Sequence, residues 1–144
     1  MRQTDVLKAD RFAFSLDRHS GIPVYRQLID QVQAGVAVGT LSIGDQLPTV
    51  RQVAVDMAIN PNTVMRAYRE MEIRGLVDTQ QGTGTFVADC KVESSTEDRA
   101  RRLATLAGEM AARAGAAGFT LRELIGALGE LEPTQDGERG YGRN

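Results

Sequence analysis

The stretch Pro48-Thr49-Val50-Arg51-Gln52-Val53-Ala54-Val55-Asp56-Met57-Ala58-Ile59-Asn60-Pro61-Asn62-Thr63-Val64-Met65-Arg66-Ala67-Tyr68-Arg69 holds two helix beginnings in close succession. Thr49 followed three residues later by Gln52 is a capping box, in which the Thr side chain accepts from the Gln52 amide while Gln52 reaches back. Pro48 stands outside that cap, and Val50, Val53, Ala54 and Met57 make one apolar face. The helix stops near Met57, because Asn60 is a good N-cap and Pro61 a good first helical residue for the next one. In that next helix Val64, Ala67, Tyr68 and Met71 fall on one side, and Asn62, Arg66 and Arg69 on the other. One face packs into a core, to which Tyr68 and Met71 are assigned. The other is free to read a partner.

Outward from this pair, Tyr25, Leu28, Ile29, Val32 and Val36 recur at three- and four-residue spacing after Pro23, which predicts an amphipathic helix over 24–38, with Gly39 and Gly44 bracketing its exit. Phe12, Phe14 and Leu16 alternate with Ala13 and Ser15 and suggest one short strand, ending at the loop 17–22. Downstream, Gly75 is a C-cap candidate, and Leu76 to Gln80 and Thr85 to Val87 read as two strands of a hairpin around Gln81-Gly82-Thr83-Gly84. Helix, short turn, helix, hairpin is the order of a winged helix-turn-helix, whose second paired helix enters the major groove while the hairpin reaches a neighbouring groove.

Past the hairpin, Ser94-Ser95-Thr96-Glu97 offers a capping box, and Leu103, Leu106, Ala107, Met110, Ala111 and Ala114 trace one apolar face of a long helix. Thr120-Leu121-Arg122-Glu123 is another box, after which Leu121, Leu124, Ile125, Leu128 and Leu131 continue the spacing. Glu132 to Asn144, rich in Gly, Pro and charge, reads as a disordered tail. The fold class is therefore α+β, mainly helical. Residues 1–20 are an arm with a short strand, 21–88 the winged helix-turn-helix, 89–131 a helical dimerisation extension and 132–144 the tail. Fewer than about 40 ordered residues seldom form an independent core, so the two apolar stripes need a partner surface. A second copy would supply it through Leu103, Leu106, Met110, Leu121, Leu124, Leu128 and Leu131; folding back on the winged helix is the alternative.

Composition closes several routes. The 144 residues suit one ordinary domain, or a small domain plus an appendage, and 42% hydrophobic with 25% charged residues describes a folded soluble chain rather than a disordered one. One histidine, His19, and one cysteine, Cys90, cannot supply a two-histidine metal site or a Cys/Cys/His zinc cluster, so no metal or cofactor is expected, and the chain does not read as an enzyme. Neither GxxxxGK[ST] nor GxGxxG occurs. The charges within the first twenty residues leave no apolar core of a signal peptide, which points to the cytoplasm. The longest uncharged run, Gln31 to Gly44, is too short and polar for a bilayer, which needs about 18 to 20 apolar residues.

Charge alone does not single out DNA: residues 21–88 carry five Arg against six acids. Between Gln46 and Arg69, however, three Arg face only Asp56, a local positive footprint that a solvated helix face would also give.

The runs Gly21-Ile22-Pro23-Val24-Tyr25-Arg26-Gln27-Leu28, Gly44-Asp45-Gln46-Leu47-Pro48-Thr49-Val50-Arg51-Gln52-Val53-Ala54, Asn60-Pro61-Asn62-Thr63-Val64-Met65-Arg66-Ala67-Tyr68 and Gly82-Thr83-Gly84-Thr85-Phe86-Val87 together resemble the DNA-binding domain of the GntR family of bacterial transcription regulators. The resemblance implies that Arg51 contacts DNA and that Thr49 caps its helix and touches phosphate. It places Asn60, Asn62 and Thr63 at the groove and matches Gly82, Thr83 and Gly84 to the wing tip. Many members have an arginine directly after the Thr-Val pair; here Met65 intervenes before Arg66, so base assignments from those members do not carry over. The pattern around Asn60 to Tyr68 is similar instead to the YtrA-like subfamily, whose members have a short helical C-terminal extension. The expected function is a homodimeric repressor on a palindromic operator of double-stranded DNA. Its rival is a winged helix used as a protein-interaction module. A small-molecule effector is unassigned, since the extension is too short for the separate effector domain of other subfamilies.

Overall fold

Three helices form where local signals place them: α1 Val24–Val38, α2 Val50–Met57 and α3 Pro61–Ile73. The computed structural model describes residues 12–89 and 95–132. α1 follows Pro23 and is closed by Gly39 in the left-handed region, with its N–H on the Gly35 carbonyl. Thr49 and Gln52 form the reciprocal capping box of α2, and Ala58 ends that helix at φ +53°. α3 ends in a Schellman arrangement, in which Leu76 N–H reaches the Met71 carbonyl and Gly75 N–H that of Glu72.

A hairpin follows at once, β1 Val77–Gln80 antiparallel to β2 Gly84–Val87, with Val77 opposite Val87 and Gln80 opposite Gly84. A third piece of sheet went unread in the sequence. Gln46 forms a bridge with Phe86, and Leu47 N–H to Thr85 O, Val87 N–H to Asp45 O and Gly44 N–H to Val87 O lay residues 44–47 along β2. The wing is thereby stitched to the loop that leads into α2.

The core of this part gathers Leu28, Ile29 and Val32 from α1, Val53 and Ala54 from α2, Val64, Ala67, Tyr68 and Met71 from α3, and Val77 and Val87 from the wing, closed by Phe14, Leu41 and Leu47. Burying each aliphatic side chain contributes roughly 1.5–3 kcal/mol. Val36, expected on the buried face of α1, is exposed in its last turn. Gly35 is buried instead, and a Cβ there would sit 3.0 Å from Leu41 Cδ1, so the loop closes directly onto the helix backbone.

The short strand expected at Phe12 to Leu16 is not a strand. Its alternation is real, with Phe14 buried, Phe12 and Leu16 half-buried and the residues between exposed. The partners are side chains, however. Gln31 accepts from Ser15 N–H at 2.7 Å and donates to Ser15 O at 2.7 Å, and Gln27, one turn earlier, does the same for Asp17 at 3.0 Å each way. Carboxamides on α1 satisfy the backbone that a neighbouring strand would otherwise pair.

The chain divides into two compact units, Met1–Cys90 and Lys91–Asn144. In the second, α4 Thr96–Ala116 and α5 Leu121–Glu130 pack on each other across a turn at Gly118. The cap of α4 is Ser95, accepting from Asp98 N–H, one residue later than the box expected at Ser94, a residue outside those described. Glu97 and Asp98, both in the first turn, favour the helix N-terminus. Thr120 and Glu123 form the expected box of α5. Among the described residues of this unit only Ala114 is buried. The proposed tail beyond Glu132 lies outside the described residues, as does Cys90. No described helix is long and apolar enough to cross a membrane.

Candidate nucleic-acid interface

α3 begins with an organised N-terminus. Asn60 Oδ1 accepts from Asn62 N–H at 2.8 Å and Pro61 occupies the first turn, so the Asn60 carboxamide is already engaged as a cap. Asn62, Met65, Arg66 and Arg69 are exposed along the outward side, whereas Thr63 is half-buried. Arg66 does not stand freely in solvent: its guanidinium carbon lies 3.9 Å from the centroid of the Tyr25 ring, at the first turn of α1. The opposite side of α3 packs as expected, with Val64, Ala67 and Met71 fully buried.

The two helices of the pair are held at a fixed angle by more than apolar contact. Tyr68 donates its hydroxyl to the carbonyl oxygen of Pro48, immediately before the Thr49 cap. Burial pushes the Tyr68 phenol above its ordinary value, so it remains a proton donor. Thr49 Oγ1 accepts from Gln52 N–H at 3.1 Å, and Gln52 Oε1 from Thr49 N–H at 2.9 Å, which leaves the neighbouring Arg51 exposed at the start of α2. The N-terminal ends of two helices, each a focus of partial positive charge, thus carry Arg51 and Asn62.

The wing tip is Gln81-Gly82-Thr83. Gly82 has φ +76° and Gly84 +137°, conformations that side-chain-bearing residues rarely adopt. Gly84 also has a packing reason: a Cβ there would intrude on Gln46 Nε2, which donates to Thr83 O at 3.1 Å. Thr83 remains exposed at the apex. Gln46 and Tyr25 were not among the site residues read from sequence. A carboxamide bracing a turn thirty-seven positions away carries no periodic signal, and Tyr25 reads as one more apolar position of α1. His19 sits in an exposed turn with its N–H on Asp17 Oδ1. Among the described residues no cluster of three His, Cys, Asp or Glu could hold a metal ion.

Comparison with known proteins bears on the same segment. The family model for bacterial regulatory proteins, gntR family, matches residues 24–87. The HTH-type transcriptional repressor YtrA of Bacillus subtilis (strain 168) is 39% identical over 74 residues, 51% of this chain and 57% of that protein. The chain spans less than two thirds of the length of the curated relatives it matches. Among solved structures, a transcriptional antiterminator from Listeria monocytogenes EGD-e is similar at a TM-score of 0.60 and 26% identity, covering 93% of this chain and 98% of that one. A transcriptional regulator from Oenococcus oeni is similar at a TM-score of 0.50 and 33% identity, covering 83% and 96%.

Proposed function

We propose, from the premise that residues 24–87 are a GntR-family helix-turn-helix domain, that this chain is a sequence-specific DNA-binding regulator of transcription. It acts in the cytoplasm as a homodimeric repressor on a palindromic operator. The observation that carries the reading is the outward side of α3: Asn62 and Arg66 lie one turn apart, exposed, behind a capped N-terminus. Asn can bridge N6 and N7 of adenine and Arg the O6 and N7 of guanine, each good pair giving roughly 1–3 kcal/mol of discrimination. In this reading Arg51 and Thr49 meet phosphate, Arg69 lies further along the groove, and Gly82, Thr83 and Gly84 bring the wing close to the sugar-phosphate surface.

The dimer reading is supported by the second unit. Leu103, Leu106, Met110, Leu121, Leu128 and Leu131 are exposed and Leu124 is half-buried, an apolar area that two such helices cannot cover by themselves. Burying a Leu contributes roughly 1.5–3 kcal/mol, so several per subunit suffice for a stable two-fold dimer. Linking two winged helices raises avidity by roughly 10² to 10⁴. The test is to recover bound duplexes from a random-sequence pool with the full chain and to weigh the complex by sedimentation. A symmetric motif and two chains per duplex are expected, and Leu106→Glu with Leu128→Glu should give a monomer that binds far more weakly. An unenriched pool would refute DNA recognition; undiminished binding by a monomeric variant would refute the role of the helices.

A further inference from the structure

The contact between Arg66 and Tyr25 joins the outward side of α3 to the first turn of α1. Tyr25 is half-buried and packed against the core, and α1 and α3 pack directly on one another, so the ring is a fixed platform. A guanidinium lying over a ring has one face covered, whereas its N–H donors lie in its own plane and point outward from the rim. Arg66 makes no hydrogen bond or ion pair among the described residues, so that donor edge is unengaged. A free arginine side chain must be immobilised when it meets a base, and one already stacked loses less freedom.

We propose that Tyr25 is a positioning residue for base reading. Its ring holds the Arg66 guanidinium so that the donor edge is presented to the O6 and N7 acceptors of a guanine in the major groove. This rests on the DNA-binding reading above and adds a determinant of specificity on α1, outside the helix-turn-helix pair.

The experiment uses the full chain, the duplex most enriched by the parent from a random-sequence pool, a scrambled duplex, and the variants Arg66→Ala, Tyr25→Phe, Tyr25→Leu and Tyr25→Met. Melting curves establish folding, and the Met variant, which fills similar space without a ring face, covers failure of the Leu variant. Arg66→Ala should lose the preference at one base pair per half-site. Tyr25→Leu or Tyr25→Met should relax the preference at that same base pair and weaken the selected duplex about 3- to 10-fold, the scale of one immobilised side chain. Binding to the scrambled duplex and the salt slope should not move. Tyr25→Phe should behave as the parent, and Tyr25→Leu should add nothing in the Arg66→Ala background.

Parental preference in Tyr25→Leu, or equal weakening on both duplexes, would overturn the proposal and leave the ring a packing element. If Arg66→Ala itself keeps every preference, base reading by Arg66 fails first and the proposal with it. A parent that enriches nothing overturns the DNA reading as a whole.

Discussion

Replacing Gly84 by Ala would challenge the way the wing is held. Gly84 has φ +137°, and a side-chain-bearing residue kept there is strained by about 1–3 kcal/mol. The new methyl would also meet the Gln46 carboxamide, whose Cδ lies 3.3 Å from the Cβ position. That carboxamide is the flexible end of its side chain and would swing aside, losing the 3.1 Å bond to Thr83 O. An intramolecular hydrogen bond of this kind contributes about 0.5–1.5 kcal/mol. Restriction of the unfolded chain by Ala offsets about 0.4–1 kcal/mol. The net expectation is a loss of about 0.5–4 kcal/mol, with the backbone as the larger part. Urea denaturation of the parent, Gly84→Ala, Gln46→Ala and the double variant measures each contribution. In the Gln46→Ala background the cost of Gly84→Ala should shrink by about 0.5–1.5 kcal/mol, because nothing remains to displace, while the backbone strain persists. A Gly84→Ala protein within about 0.5 kcal/mol of the parent would refute the strain argument. Equal costs in both backgrounds would show that Gln46 does not brace the tip.

Tyr68→Phe removes the hydroxyl donated to Pro48 and should cost about 0.5–1.5 kcal/mol in the same assay. Because burial raises the Tyr68 phenol above its ordinary 10.0, the unfolded chain ionises first. Stability is intact below that value and declines as pH rises beyond it, a decline that Tyr68→Phe should reduce. Arg51→Ala should weaken binding to every duplex and lower the slope of log affinity against log salt by about one, checked by fluorescence titration; a base-specific effect would contradict a phosphate contact. Thr83→Glu should leave melting unchanged and weaken duplex binding most at low salt, and parental affinity there would remove the wing from the interface.

How much the sequence discloses depends on whether a signal is local. The caps at Thr49, Asn60 and Thr120 involve residues two or three apart, and each helix begins where its cap predicts. Apolar spacing likewise identifies the buried side of α3. At Ser94-Ser95 two adjacent serines, each with an acid three residues on, offer competing registers that local spacing does not separate, and the helix takes the later one. Residues 44–47 contain Gly, Asp and Gln and precede a proline, so nothing in them resembles a strand; their pairing comes from β2, some forty positions away. Tyr25 over Arg66 depends on the crossing of α1 and α3, which no spacing within either helix encodes.

The two glutamines of α1 that grip the arm carry a consequence for sequence drift. Gln27 and Gln31 bond to the N–H and C=O of Asp17 and Ser15, groups that every residue except proline offers in full. Recognition of this kind depends on backbone groups far more than on side chains: the exposed Ala13 can vary widely, and a change at Ser15 loses only the long contact of its Oγ with Gln31 Oε1 at 3.5 Å while the two backbone bonds remain. The constraint is displaced onto a second segment of the chain: the two carboxamides must stay, spaced by one helical turn, and Phe12, Phe14 and Leu16 must keep their alternation to hold the arm in register. The arm is therefore marked by its apolar alternation and by the glutamine pair on the helix beneath it, and hardly by the residues in between.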